Sequence, residues 1–161
     1  MEKIEVQNKL FAITDYIIKR HKVTDSVKIQ KILYFLYLEY LKEKNQKLFE
    51  DEFEAWIYGP VLRTVYNHLK YNGLFFDEYE TLDIDKGPIF IKFLSLDDKE
   101  IMAFIDKKIT KYKNQNTFNL VEKTHQTSPW IKARKGLKED EPSTRKIKFS
   151  DLEKFVKTWQ S

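Results

Sequence analysis

The sequence predicts a mainly α-helical fold, a compact multi-helix domain around a buried central helix, with a small β-hairpin. Two observations predict it. Apolar residues recur at helical spacing in at least four segments, against one convincing strand pattern. The stretch Ile32 to Leu41 is apolar nearly all round, where a surface helix would show a polar face, so it marks the helix that the others enclose. At 161 residues the chain fits one domain spanning 1–161, and a domain of that size buries roughly two-thirds of the surface its unfolded chain exposes.

Residues 4 to 21 place Leu10, Phe11, Ile13, Thr14, Ile17, Ile18 and His21 along one side, which gives an amphipathic first helix. His21, beside Lys19, Arg20 and Lys22, falls where cations complement the negative end of a helix and reads as a C-terminal capping residue rather than a ligand. Thr24-Asp25-Ser26 offers N-caps for the central helix, about Ser26 to Lys44. The acidic cluster Glu50, Asp51, Glu52 and Glu54 is expected to be a solvated turn or a partner contact. Phe53, Ala55 and Ile57 then alternate as a short extended segment would. Gly59-Pro60 fixes a turn: glycine reaches backbone angles closed to other residues, and a proline at the first helical position gives up no needed donor. A third helix is therefore expected from Pro60 to Asn72, with Val61, Leu62, Val65, Tyr66 and Leu69 inward, His68 half-buried at the margin and Gly73 as its stop.

Pro88 to Phe93, preceded by the turn signal Asp85-Lys86-Gly87, is the clearest strand, expected to form a hairpin with Leu74-Phe75-Phe76. Asp97 or Ser95 caps a helix to about Tyr112 that turns Ile101, Phe104, Ile105 and Ile109 inward. Thr117 starts a helix from Phe118 to about His125, and Ser128 with Pro129 starts the next, a capping hydroxyl followed by a first-turn proline. Ser150-Asp151-Leu152-Glu153 has the capping-box pattern and leads a terminal helix that buries Leu152, Phe155, Val156 and Trp159. About seven helices result. Gly136 to Arg145, rich in charge and carrying Pro142, reads as a loop within the domain.

Composition narrows the function. Without cysteine the chain has no disulfide and no thiolate metal site, which suits a reducing compartment. No apolar run approaches the ~20 residues that span a bilayer, and Met1-Glu2-Lys3 does not open a signal peptide, so a cytoplasmic protein is expected. The net charge of +4 is uneven: residues 81–161 carry 17 Lys/Arg against 12 Asp/Glu, residues 1–80 carry 12 against 13. The excess gathers at Lys107, Lys108, Lys111 and Lys113 and again at Lys132, Arg134, Lys135 and Lys138. Such a face attracts nucleic acid or an acidic protein, but no nucleic-acid reading motif accompanies it and a solvated lysine-rich face is the expectation.

Catalytic chemistry finds little to stand on. A nucleophile needs a base within hydrogen-bond reach, yet no Gly-x-Ser-x-Gly occurs, and four glycines leave no phosphate-cradling loop. His21, His68 and His125 are far apart, and none has a second metal ligand at helical spacing, so no metal or cofactor is expected. His125 is the one catalytic candidate, since an imidazole works near neutral pH when another group orients it. Its structural alternative is to bridge a helix C-terminus to the turn before Trp130, with Trp130 in the core and its N–H on an acceptor. The structural role is the expectation, and the chain is read as a non-enzyme.

Three stretches taken in order resemble a known family. They are Gln30-Lys31-Ile32-Leu33-Tyr34-Phe35; Phe53-Glu54-Ala55-Trp56 with Tyr58-Gly59-Pro60-Val61, followed by Tyr66; and Thr124-His125 with Pro129-Trp130. In this order and spacing, over about Val27 to Ala133, they resemble the Panacea domain of SocA-like antitoxins, a family that includes phage-associated GepA-like proteins. The resemblance implies a mainly helical antitoxin that neutralises an adjacently encoded protein toxin by direct contact. It also implies an alternative, since one family member delivers its toxin to an ATP-dependent protease as an adaptor. Some relatives add a helix-turn-helix DNA-binding domain, for which this chain has no room. Nucleic-acid binding through the basic C-terminal half is the rival from another class. The family pattern marks no catalytic residue. It singles out Gln30, Lys31, Tyr34, Trp56, Tyr58, Gly59, Pro60, Val61, Tyr66, His125, Pro129 and Trp130 as structural or partner-binding.

Overall fold

A computed structural model describes residues 2–71 and 96–161, with side chains described for 9–70 and 96–161. The described residues form a mainly helical protein: α1 (Glu2–His21), α2 (Ser26–Lys44), α3 (Arg63–Tyr71), α4 (Lys99–Lys108), α5 (Thr110–Lys113), α6 (Thr117–His125), α7 (Ser128–Ala133) and α8 (Phe149–Thr158), with one small hairpin, β1 (Glu54–Trp56) and β2 (Gly59–Val61).

The central helix is the one the sequence marks. Every residue of α2 from Ile29 to Leu41 is buried, and α1, α3, α4, α6, α8 and β2 pack on it. Asp25 caps it, accepting from the backbone N–H of Val27 at 2.9 Å and Lys28 at 3.3 Å. Asn45 ends it in the left-handed conformation, its N–H returning to the Leu41 carbonyl. Aromatic rings fill the layers around it: Tyr34 meets Phe53 edge-on at 5.2 Å, and Phe35 stacks on Tyr112 at 5.0 Å. From α1, Leu10, Ile13, Ile17 and Ile18 complete the same core.

Several expected boundaries move, each for a local reason. Pro60 is not the first residue of a helix; it lies in β2, paired with Ala55, and α3 starts at Arg63. The Ala55 N–H donates away from β2, to Arg145, and its carbonyl accepts from Arg134, so Ala55 and Pro60 form a non-hydrogen-bonded pair in which the missing proline N–H costs no ladder bond. The observed hairpin precedes the third helix. The one expected after it, between Leu74–Phe76 and Pro88–Phe93, lies outside the described residues, as does Gly73. The helix expected to run to Tyr112 is interrupted at Ile109, which raises the expected seven helices to eight among the described residues.

Capping residues shift by one place at most sites. Asp98 caps α4 through the Ile101 N–H, where Asp97 or Ser95 is expected. Asn116 caps α6, freeing the Thr117 hydroxyl to donate to Asp25 on the central helix. The residue before α7 is Thr127, not Ser128, and its hydroxyl is spent on the Thr124 carbonyl. The capping box at Ser150 is not used, because α8 has already begun at Phe149. Trp159 lies just past the end of α8, half-buried against the core.

His21 does not cap its own helix. Its Nε2 lies 2.6 Å from the Asp106 carboxylate on α4, and Nδ1 lies 3.2 Å from Lys113 Nζ. Tyr16 donates to the same carboxylate, so the end of α1 is fastened to α4 instead of to its own last carbonyls. His68 sits half-buried, 3.0 Å from Asp15 and stacked on Phe11 at 4.2 Å.

Candidate functional site

Of the twelve residues singled out from the sequence, Trp56, Tyr58, Gly59, Pro60 and Val61 make the hairpin and its turn, and Lys31, Tyr66, His125 and Trp130 contact it. Gln30 clamps the start of α3: its Oε1 accepts from the Leu62 N–H at 2.9 Å and its Nε2 donates to the Leu62 carbonyl at 3.1 Å. Both ends of the amide are thus occupied by one residue's backbone. Lys31, the next residue of α2, donates from Nζ to the Pro60 carbonyl at 3.0 Å. Tyr34 is fully buried and donates to the Thr127 hydroxyl at 2.8 Å, since that hydroxyl's own proton goes to Thr124.

Gly59 is the point where the hairpin meets the helices. It has φ +111°, and a Cβ on it would lie 2.5 Å from Thr124 Oγ1 and 3.0 Å from Lys31 Cε. From the other side, Trp130 Nε1 donates to the Trp56 carbonyl at 2.9 Å, and the His125 ring stacks on Trp130 at 4.1 Å with 14° between planes. Pro129 is buried in the first turn of α7, which carries Trp130. The expected acceptor for the Trp130 indole is therefore a carbonyl of the hairpin itself.

His125 ends α6 and reaches the hairpin. One ring nitrogen interacts with the Ile57 backbone, while Nε2 is buried without a hydrogen-bond partner. Burial lowers its pKa, the charges of Lys31 and Arg134 lower it further, and the Ile57 backbone and Glu122 oppose them only in part. The folded state thus favours neutral imidazole.

Two charged residues have roles that composition does not reveal. Glu54 is not solvated: it is buried in β1, its carboxylate gripped by Arg63 through two bonds of 3.0 Å, by the Trp56 indole at 2.9 Å, and approached by Lys146 at 3.8 Å. Burial pushes its pKa up, but Arg63, Trp56 and Lys146 outweigh that and hold it below the usual carboxylate range. Arg134 is not part of a solvated basic face either. It is 6% exposed, lies over the Trp130 ring, and donates to the carbonyls of Ala55, Lys138 and Glu141. Its spacing of four residues from Trp130 on one helical face is the sequence signal that finds it.

These anchors hold open a groove of about 570 Å³. Its floor is Val27, Gln30 and Lys31 of α2. Trp56, Ile57, Tyr58 and Val61 of the hairpin form one wall, Arg63, Tyr66 and Leu69 of α3 another, and Pro142, Ser143 and Thr144 close an edge. Six of the twelve residues, Gln30, Lys31, Trp56, Tyr58, Val61 and Tyr66, line it. Tyr58 stands at the turn 58% exposed. The lining is mostly apolar, the chemistry of a surface that binds by burial.

A family model for the antitoxin SocA-like, Panacea domain matches residues 29–131, more than half of the chain. The chain belongs to that family. The matched stretch runs from the central helix through the hairpin to α7, so the antitoxin domain contains the hairpin and most of the groove. No curated protein and no solved structure is similar enough to the chain to be matched. No described helix of this Panacea domain is long and apolar enough to cross a membrane.

Two pH effects follow from the site. Lys31 is fully buried, and burial brings its pKa down to about 7, with Asp25 opposing weakly. A lysine whose folded pKa lies below its unfolded value binds fewer protons folded than unfolded, so stability should rise with pH between about 7 and 10. Urea unfolding at several pH values should show that rise in the wild type and a flatter profile in Lys31→Met. On the acid side, His125 loses its contribution as pH falls below its ordinary value of 6.5, and Glu54 loses its own below 4.5. The Glu54→Gln variant should be less stable at neutral pH and lack the second, more acidic loss.

Proposed function

We propose that this chain is a contact antitoxin: it binds a cognate protein toxin, encoded nearby, and blocks it stoichiometrically without catalysing a reaction. The observation that carries the reading is the apolar groove, six of whose lining residues come from the stretches that resemble the family, with Tyr58 at its rim and Trp56 and Arg63 in its walls. Aromatic and arginine side chains are the usual anchors of protein interfaces, and a specific complex buries about 1,200–2,000 Å² in total. A cytoplasmic site of action accords with a cysteine-free chain.

The test is coexpression with the neighbouring open reading frame. Growth rescue together with a stable copurifying complex supports direct inhibition. Rescue that requires a cellular protease and depletes the partner points to the adaptor mechanism instead. Nucleic-acid binding is the weaker rival, since Arg134, the middle of its basic cluster, is buried and occupied. Salt-sensitive DNA or RNA binding lost on changing Lys132 and Lys135 would favour it.

A further inference from the structure

On either side of its turn the hairpin is tied to a helix. Trp130 Nε1 donates to the Trp56 carbonyl and Lys31 Nζ to the Pro60 carbonyl, which fastens one strand to α7 and the other to α2. The turn itself is Ile57-Tyr58, and the His125 ring reaches it through the Ile57 backbone.

His125 sits where a neutral imidazole is accommodated and an imidazolium is not. It stacks on Trp130 at 4.1 Å, and its Nε2 is buried with no hydrogen-bond partner among the described residues. An unpaired lone pair there is a modest cost, whereas a proton on Nε2 makes a buried charged donor with no acceptor. The charged groups acting on the ring come from three elements. Lys31 of α2 and Arg134 at the end of α7 repel a second proton, while Glu122 of α6 and the Ile57 backbone attract it. The indole face also favours a cation, but the Arg134 guanidinium already lies over that ring at 5.2 Å.

We propose that His125 is an acid-released latch on the hairpin turn: neutral, it stacks on Trp130 and holds Ile57; protonated, it swings out to solvent and frees Ile57 and Tyr58 while both strands stay anchored. The ring is half-exposed, so the way out is short. Ile57 and Tyr58 line the groove, and its hairpin wall therefore loosens in acid while the core stays closed. The device does not depend on what the groove binds.

Nuclear magnetic resonance of the full chain, titrated from about pH 8 to about pH 5, tests this, because an ordinary histidine changes charge inside that range. The His125 ring should titrate with a midpoint below the ordinary 6.5, and the Ile57 and Tyr58 amides should follow it. The Trp130 indole N–H and the α2 amides should hold throughout. His125→Phe keeps a stacking ring without the proton, so its turn amides are expected to stay still although Lys31 beside the hairpin changes charge in the same range. Glu122→Gln, at an exposed position, removes the attracting charge and should move the midpoint lower; it decides the matter where His125→Phe does not fold. A midpoint at or above 6.5, turn amides that ignore His125 or still move in His125→Phe, an unmoved midpoint in Glu122→Gln, or loss of the whole fold at the same pH would each overturn the proposal.

Discussion

Gly59→Ala should abolish stable folding or come close to it. The backbone at φ +111° is one that L-residues rarely adopt, which costs about 1–3 kcal/mol by itself. The new methyl would also stand 2.5 Å from the Thr124 hydroxyl oxygen, itself tied to the Val121 carbonyl, so relief requires moving the hairpin off α6. Gly136 provides the control. It too has positive φ, at +86°, but nothing lies within 4 Å of where its Cβ would be. Gly136→Ala should therefore show the conformational strain alone, and the difference between the two urea midpoints measures the hairpin–helix contact. Equal midpoints would mean that the hairpin moves freely and that Gly59 is not its fixed point.

Trp130→Ala is expected to cost about 3–5 kcal/mol, the range for removing a buried large aromatic. It vacates the ring that His125 stacks on and that the Arg134 guanidinium covers, and it removes the indole N–H that the Trp56 carbonyl accepts. Against a total stability of about 5–15 kcal/mol, such a loss is readily seen as a lowered urea midpoint. Trp130→Phe should recover most of the packing while still lacking the hydrogen bond, so its position between wild type and Trp130→Ala separates the two contributions. A Trp130→Ala protein with an unchanged midpoint would sink the assignment of Trp130 to the core.

How much of this was legible beforehand varied with the kind of signal. The central helix announced itself, because a helix apolar on every side has only one place to go. Gly59 was legible as a positive-φ turn, but its real constraint is the approach of Thr124, 65 residues away in sequence, which no local pattern contains. Pro60 looked like a helix start because proline suits a first turn, and it equally suits a strand position whose N–H points away from its neighbour. Only the partner of Ala55, at Arg145, distinguishes the two. The charged residues were the least legible. Glu54 in an acidic run and Arg134 in a basic one carry the composition of solvated surface, and each is buried by partners that the fold delivers from elsewhere. Lys31, inside an apolar helix, stood out by position alone.

The way Arg134 holds the loop after α7 bears on how such a protein changes over generations. Its guanidinium grips Lys138 and Glu141 by their carbonyls, groups that every amino acid carries. On the edge of the groove that follows, the Ser143 hydroxyl accepts from the Arg145 N–H at 3.0 Å, whereas Pro142 and Thr144 make no side-chain hydrogen bond among the described residues. Mutation can rewrite those two while the scaffold stays as it is. On the proposed reading of the groove, a lineage confronting a new toxin can redraw that margin one residue at a time, with the folding of the rest already insured by an arginine that is indifferent to the spelling of the loop.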